Sequence, residues 1–163
     1  MNYEVELKAP CKDAREKVEQ LGADYKTSEH QKDTYYRHPS RDYKKTDEAL
    51  RIRKTGSHYL TYKGPKKEGD LKTREEIEFQ VPDIIYALLE RLGFEEAFTI
   101  EKLRHTYILN GLTICCDEVE GLGEYVEVES ANPKDHDNIM NTLEGLGVKD
   151  KATSKTYSEL LGF

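Results

Sequence analysis

Charged and apolar residues alternate with period two along most of this chain, and that alternation limits its fold more than any other feature. Successive strand residues point to opposite faces, so the parity of a position assigns its side chain to a face. Glu4, Glu6 and Lys8 share one face of a first strand, against Tyr3, Val5 and Leu7. Arg51 and Arg53 alternate with Leu50 and Ile52, and Lys63 joins Tyr59 and Thr61 opposite Leu60 and Tyr62. Arg74, Glu76 and Glu78 oppose Ile77, Phe79 and Val81. Lys102 and Arg104 lie together on a long strand spanning about 95–109, whose other face is mixed. Asp117 opposes Ile114 and Cys116, and Glu127 and Glu129 oppose Val126 and Val128. Seven acids and seven bases therefore fall on one inferred surface.

Three stretches break the alternation with helical spacing. Residues 12–21 carry Ala14, Val18 and Leu21 and end at Gly22; residues 83–92 carry Ile84, Ile85, Leu88, Leu89 and Leu92 and end at Gly93. The third opens with Asn132 as N-cap and Pro133 in the first turn, then runs through Ile139, Met140 and Leu143 to Leu146-Gly147. Residues 154–161 read as a short helix or an extended flap. These stretches punctuate a repeat. Glu4 and Glu76, each in an ExE strand ahead of a helix, are 72 positions apart, and so are Tyr35 and Tyr107 at the ends of the following strands. Glu127-Val128-Glu129 and the helix after it form a third, partial copy, and the whole reads as pseudo-symmetry in a β-rich fold.

A chain of 163 residues, 35% charged and 36% hydrophobic, is expected to form a single domain over 1–163, with about 154–163 as a C-terminal segment. The net charge of -7 argues against a general nucleic-acid or anionic-membrane surface, which relies on basic residues. An anionic ligand would need locally focused positive charge or metal ions. The N-terminus lacks the basic-then-apolar pattern of a signal peptide, and no apolar run approaches the roughly 20 residues that span a bilayer, so the expected location is cytoplasmic. Cys11, Cys115 and Cys116 form neither a disulfide framework nor a CxxC knuckle. The five histidines show no zinc spacing, and Gly64-Pro65-Lys66-Lys67-Glu68-Gly69 lacks the Gly-Lys-Ser/Thr ending of a Walker loop.

The charged face has two readings. One is an open sheet with a solvated side, where opposite charges pair for a few tenths of a kcal/mol each. The other is closure: eight strands in a barrel leave no edges, three amphipathic helices cover the apolar outside, and the charges turn inward. A lining of both signs suits a polyphosphate with its metals, since carboxylates hold hard divalent cations while Arg and Lys neutralise phosphate oxygens.

The residues also resemble a known family. Glu4-x-Glu6-x-Lys8 is similar to the ExExK signature of the CYTH superfamily, the triphosphate tunnel metalloenzymes, which include class IV adenylyl cyclases and thiamine triphosphatases. Leu50-Arg51-Ile52-Arg53, Thr61-Tyr62-Lys63, Arg74-Glu75-Glu76-Ile77-Glu78, Lys102-Leu103-Arg104 and the run from Cys116 to Glu129 follow in family order. The Asp117–Tyr125 stretch and the closing Tyr157-Ser158-Glu159-Leu160-Leu161 most resemble the class IV adenylyl cyclase branch.

The resemblance implies an α+β fold: a closed eight-stranded antiparallel β-barrel, or triphosphate tunnel, with helices packed outside. It implies Mg²⁺ or Mn²⁺ held by Glu4, Glu6, Asp117, Glu127 and Glu129. Lys8, Arg51, Arg53, Lys63, Arg74, Lys102 and Arg104 would grip the triphosphate. Glu76 and Glu78 would support them, and Lys155 and Tyr157 would fold over one mouth. The second ExE runs on to Gln80 where the first reaches Lys8, so the halves are not equivalent phosphate sites. The implied substrate is a nucleoside triphosphate or inorganic triphosphate, and the family's recurrent dimers leave a homodimer open. The activity expected first is conversion of ATP to cyclic AMP and pyrophosphate. The alternatives are hydrolysis of tripolyphosphate, thiamine triphosphate or a nucleoside triphosphate, and a non-catalytic triphosphate sensor.

Overall fold

A computed structural model describes residues 2–67 and 72–163. The strands are β1 (Tyr3–Pro10), β2 (Asp24–Arg37), β3 (Ala49–Lys54), β4 (His58–Lys63), β5 (Lys72–Val81), β6 (Glu95–Leu109), β7 (Leu112–Val119) and β8 (Gly123–Ser130). They close into an antiparallel barrel in the order β1-β5-β4-β3-β2-β6-β7-β8. Closure leaves no sheet edge over most of the circumference, which settles the choice between solvated face and tunnel in favour of the tunnel. The helices are α1 (Ala14–Gln20), α2 (Tyr43–Thr46), α3 (Ile85–Arg91), α4 (His136–Gly145) and α5 (Tyr157–Leu160). No helix among the described residues is long and apolar enough to cross a membrane.

The ring order carries the repeat. Exchanging β1–β4 for β5–β8 maps the ring onto itself read backwards, so β1 pairs with β5 and β2 with β6. Two expectations change. The Glu127–Glu129 segment is not the start of a third copy; it lies on β8, the partner of β4 under this exchange. Tyr35 and Tyr107 also face opposite ways: Tyr35 lines the tunnel, whereas Tyr107 is fully buried outside it beneath α1. The two register irregularities of the β2–β6 ladder are equivalent under the exchange, the extra residue being Lys26, third in β2, in one and Ala97, third in β6, in the other.

Apolar residues of opposite parity build two covers outside the barrel. Val5, Leu7, Ile114, Val126 and Val128 pack beneath Val18 of α1 and Ile139 and Leu143 of α4. Leu50 and Ile52 pack beneath Ile85 and Leu89 of α3. Because α3 sits over β3 and β4, the outward face of β5 is left bare: Ile77 and Phe79, expected to be covered, are 49% and 54% exposed. Gly22, Gly93 and Gly147 adopt φ of +85°, +94° and +76° after their helices, the left-handed turn that glycine permits at low cost. The expected N-cap at Asn132 is displaced. Asn132 accepts the Lys134 N–H in a local turn, Pro133 precedes the helix, and α4 starts after Asp135. The loop after His38 contains α2, whose N-cap Asp42 accepts the Lys44 N–H at 3.0 Å. Glu68 and Gly69 of the 64–69 connection lie outside the described residues.

Candidate active site

The barrel encloses a cavity of about 1350 Å³. One mouth, the flap mouth, is formed by the ends of β1, β2, β4 and β7 with the starts of β3, β5, β6 and β8, and the C-terminal segment lies there. Thr153 exchanges backbone hydrogen bonds with Lys8, at 2.8 and 3.1 Å, where β1 has run past its pairing with β5. Tyr157 then descends from α5 and donates its hydroxyl to Asp117 at 2.6 Å.

Four carboxylates converge in the tunnel. Glu4, Glu6, Glu127 and Glu129 each offer an oxygen, and these oxygens all lie within 4.8 Å of one another. Register explains the meeting: Glu6 is opposite Glu129 and Lys8 is opposite Glu127 across the β1–β8 ladder. Burial and the neighbouring Glu4 and Glu127 charges push the Glu129 carboxyl well above its ordinary range. Lys8, 2% exposed, sits 3.7 Å from Glu6 and 3.2 Å from Glu127, and these acids keep it charged against the burial that opposes the charge.

The remaining bases are held in distinct ways. Arg104 binds Asp117 in a two-point fork at 2.8 and 2.7 Å and reaches Glu127 at 3.5 Å. Lys63 donates to Glu4 at 2.9 Å and lies 3.4 Å from Glu76. Arg51 pairs with Glu78 at 3.6 Å, while its buried Nε makes no hydrogen bond among the described residues. Arg74 donates to backbone carbonyls of Gly64, Lys63 and Asp47, which ties the mouth loops together. All seven expected bases line the cavity, as do Glu4, Glu6, Glu76, Glu78, Glu127, Glu129 and Tyr157. Asp117 lies outside the four-carboxylate group, occupied by Arg104 and Tyr157. Lys155 is exposed, and α5 rather than this lysine carries the segment's contact with the interior.

Parity reasoning missed Asp33. This carboxylate, 1% exposed, accepts two bonds from Arg53, at 2.7 and 2.8 Å, and one from Lys102 at 2.9 Å. Burial alone would raise its pKa; the Arg53 and Lys102 charges more than offset that and hold it well below the carboxylate range. Lys102 is also lowered, to about 7, through burial and the adjacent Arg53 charge. The signal was available in Asp33-Thr34-Tyr35, where Asp33 and Tyr35 share a face. Thr61, which shares the face of Lys63, donates to Glu78 at 2.7 Å.

Comparison with known proteins agrees with this geometry. A "Putative adenylate cyclase MJ0240" from Methanocaldococcus jannaschii is 39% identical over 172 residues, covering 98% of each chain. The PH1819 protein of Pyrococcus horikoshii OT3 superposes with a TM-score of 0.88 at 41% identity over 97% of both chains. The PH1012 protein of the same organism follows with 0.83 at 31%, over 97% of this chain and 99% of the other. A Hippeastrum protein whose structure bears the heading "Putative adenylyl cyclase HpAC1" shares the fold at TM-score 0.68 and 19% identity, over 91% of this chain and 89% of its own. Residues 2–157 match the CYTH domain, and with the ring of eight strands and its charged interior this makes the chain a member of the CYTH domain family.

Proposed function

We propose that this protein is a divalent-metal-dependent enzyme acting on triphosphates, and that its reaction is conversion of ATP to cyclic AMP and pyrophosphate. The observation that carries the reading is the convergence of Glu4, Glu6, Glu127 and Glu129 beside buried cations inside a closed barrel. Four carboxylates so close repel one another, and the upward shift at Glu129 comes from burial first and from that repulsion next. A divalent cation relieves it, and an all-oxygen donor set fits Mg²⁺ or Mn²⁺ rather than a softer metal. Glu4, Glu6, Glu127 and Glu129 would hold the ion, with Asp117 supporting them through Arg104. When bound, such an ion supplies Lewis-acid stabilisation of charge on phosphoryl oxygens.

The chain's own groups bind and orient the substrate. Arg51, Arg53, Lys63, Lys102 and Arg104 project from three strands, β3, β4 and β6, into one cavity, so they can engage successive phosphates and fix the chain of phosphorus atoms along the tunnel. The barrel wall keeps bulk water away, and fixed cations in such surroundings stabilise developing charge more than they would in water. In the cyclase reaction the ribose 3′-hydroxyl gives up its proton as its oxygen forms a bond to the α-phosphorus, the bond from that phosphorus to the bridging oxygen breaks, and the cations receive the departing pyrophosphate, which carries the proton away. The name carried by the 39% identical relative supports this choice. Hydrolysis is the second reading, supported by one observation: the heading of the Hippeastrum structure ascribes to that protein a dominant triphosphatase activity, so the shared fold by itself does not select the reaction.

Incubating the protein with Mg²⁺ or Mn²⁺ and ATP, thiamine triphosphate or tripolyphosphate, then separating products by chromatography, tests the proposal. Cyclic AMP with pyrophosphate is expected. Orthophosphate in their place establishes hydrolysis, and metal-dependent binding without product leaves a sensor.

A further inference from the structure

At the flap mouth three rings stack in series: Tyr35 on Phe98, with centroids 4.8 Å apart and planes 20° apart, and Phe98 on Phe163, at 4.5 Å and 11°. The series comes from three elements. Tyr35 and Phe98 are direct partners across the β2–β6 ladder, and Phe163 is delivered by the segment that follows α5. Its inner end meets the tunnel cations, because Tyr35 is the cross-strand partner of Arg51 and its hydroxyl is a polar neighbour of the Arg51 guanidinium. Its outer end is open: Phe163 is 44% exposed although one face lies on Phe98, and it lines the same cavity as Arg51 and Arg53.

Resting on the triphosphate reading above, we infer that the exposed face of Phe163 is a subsite for a planar aromatic ring, so that the substrate is an organic triphosphate whose nucleobase continues the Tyr35–Phe98–Phe163 series while its phosphates lie on the cations beyond Tyr35. A flat ring on an aromatic face gains dispersion and quadrupole attraction without needing any one pattern of hydrogen bonds. The series also fixes direction. With the ring at the flap mouth, the phosphate chain points inward past Arg51, which lines the cavity. Inorganic tripolyphosphate would use the same cations and gain nothing from Phe163.

The test is calorimetric binding, with Mg²⁺, of methylene-bridged ATP and of its inorganic counterpart, methylene-bridged triphosphate, neither of which is cleaved at the bridges. The variant is Phe163→Ala, with Phe163→Trp beside it. Stacking on one side chain corresponds to roughly a 5- to 150-fold change in affinity. Phe163→Ala is therefore expected to lower the ratio of organic to inorganic affinity at least about fivefold, and Phe163→Trp is expected to restore it. An unchanged or increased ratio in Phe163→Ala overturns the subsite while leaving the triphosphate reading intact. Failure of the inorganic ligand to bind wild-type protein overturns the triphosphate reading, and the subsite with it.

Discussion

Replacing Asp33 by Asn removes one negative charge from between the half-buried Arg53 and the buried Lys102 and leaves the shape almost unchanged. The native carboxylate accepts three charge-assisted bonds, from Arg53 at 2.7 and 2.8 Å and from Lys102 at 2.9 Å. An amide offers one acceptor oxygen, and its NH₂ group must face a guanidinium or an ammonium. Removing one partner of a buried ion pair costs about 3–5 kcal/mol, mostly from the charge left uncompensated. A domain of this size loses roughly 2–4 °C of Tm per kcal/mol, so a fall on the order of 10 °C is expected. The pH dependence is the sharper check. Lys102 already titrates at about 7 with Asp33 beside it; without that carboxylate, burial and the Arg53 charge depress it further. At about pH 9 Lys102 is largely neutral in both proteins, so the substitution forfeits chiefly the Arg53 fork. Near pH 6 the wild type keeps a charged Lys102 on Asp33, and the variant has nothing to hold it. Thermal melts followed by circular dichroism should therefore show a larger loss near pH 6 than near pH 9. A Tm at pH 6 within about 2 °C of wild type, on the same scale, or equal losses at both pH values, would refute the reasoning.

Other outcomes follow from the same contacts. The double variant Glu6→Gln, Glu129→Gln should lose turnover and bind Mn²⁺ at least about tenfold more weakly by calorimetry, because the oxygen cluster loses two of its charges; full activity would remove these residues from the metal site. Arg53→Ala should weaken tripolyphosphate binding by roughly 10- to 100-fold, the equivalent of a charged hydrogen bond lost. Wild-type stability should rise as pH climbs from about 7 toward 10.5, since in that window the unfolded chain holds the Lys102 proton and the folded one does not; a flat profile in denaturant melts would contradict it. Tyr157→Phe leaves buried Asp117 without its 2.6 Å donor and should lower Tm by roughly 2–10 °C, with no more than a slight change in far-ultraviolet circular dichroism.

Parity along the strands located the tunnel lining because a closed barrel with helices outside forces one face inward, and a strand residue has only two faces. Parity does not report position along the tunnel or which charge meets which. Asp117 and Glu127 look alike in sequence, yet Asp117 is occupied by Arg104 and Tyr157 while Glu127 joins three other glutamates. Asp33 escaped notice for another reason. The β2–β3 ladder covers residues 32–35 of β2, so among the described residues the first half of that strand pairs with β6 alone and is exposed on both faces. Without an alternating approach, the inward parity at Asp33 and Tyr35 has nothing to stand out against. The repeat was legible for the same reason as the lining, since ExE strands and Leu-Gly helix ends depend on local chemistry; Tyr35 and Tyr107 face differently because the offset falls from 72 at Glu4/Glu76 to 71 at Gly22/Gly93, which makes Thr106 the equivalent of Tyr35.

Net charge conceals the property that matters for a ligand. The chain is acidic overall, but its tunnel sets seven bases against the seven acids of the same parity and Asp33, and every one of those bases already has a protein partner. A triphosphate therefore does not enter a field of unpaired positive charge. It must exchange partners, drawing Arg53 and Lys102 toward itself and leaving carboxylates behind. Those released carboxylates, with the four already crowded within 4.8 Å, are stabilised only if positive charge arrives with the anion. A metal-loaded triphosphate supplies both signs at once, while a bare one adds negative charge to a balanced cavity. The expected consequence is reciprocal coupling: the metal should tighten triphosphate binding by the same factor as the triphosphate tightens metal binding. Calorimetric titrations of each in the absence and presence of the other measure that factor, and a value of one would show that the carboxylates and the bases do not form one site.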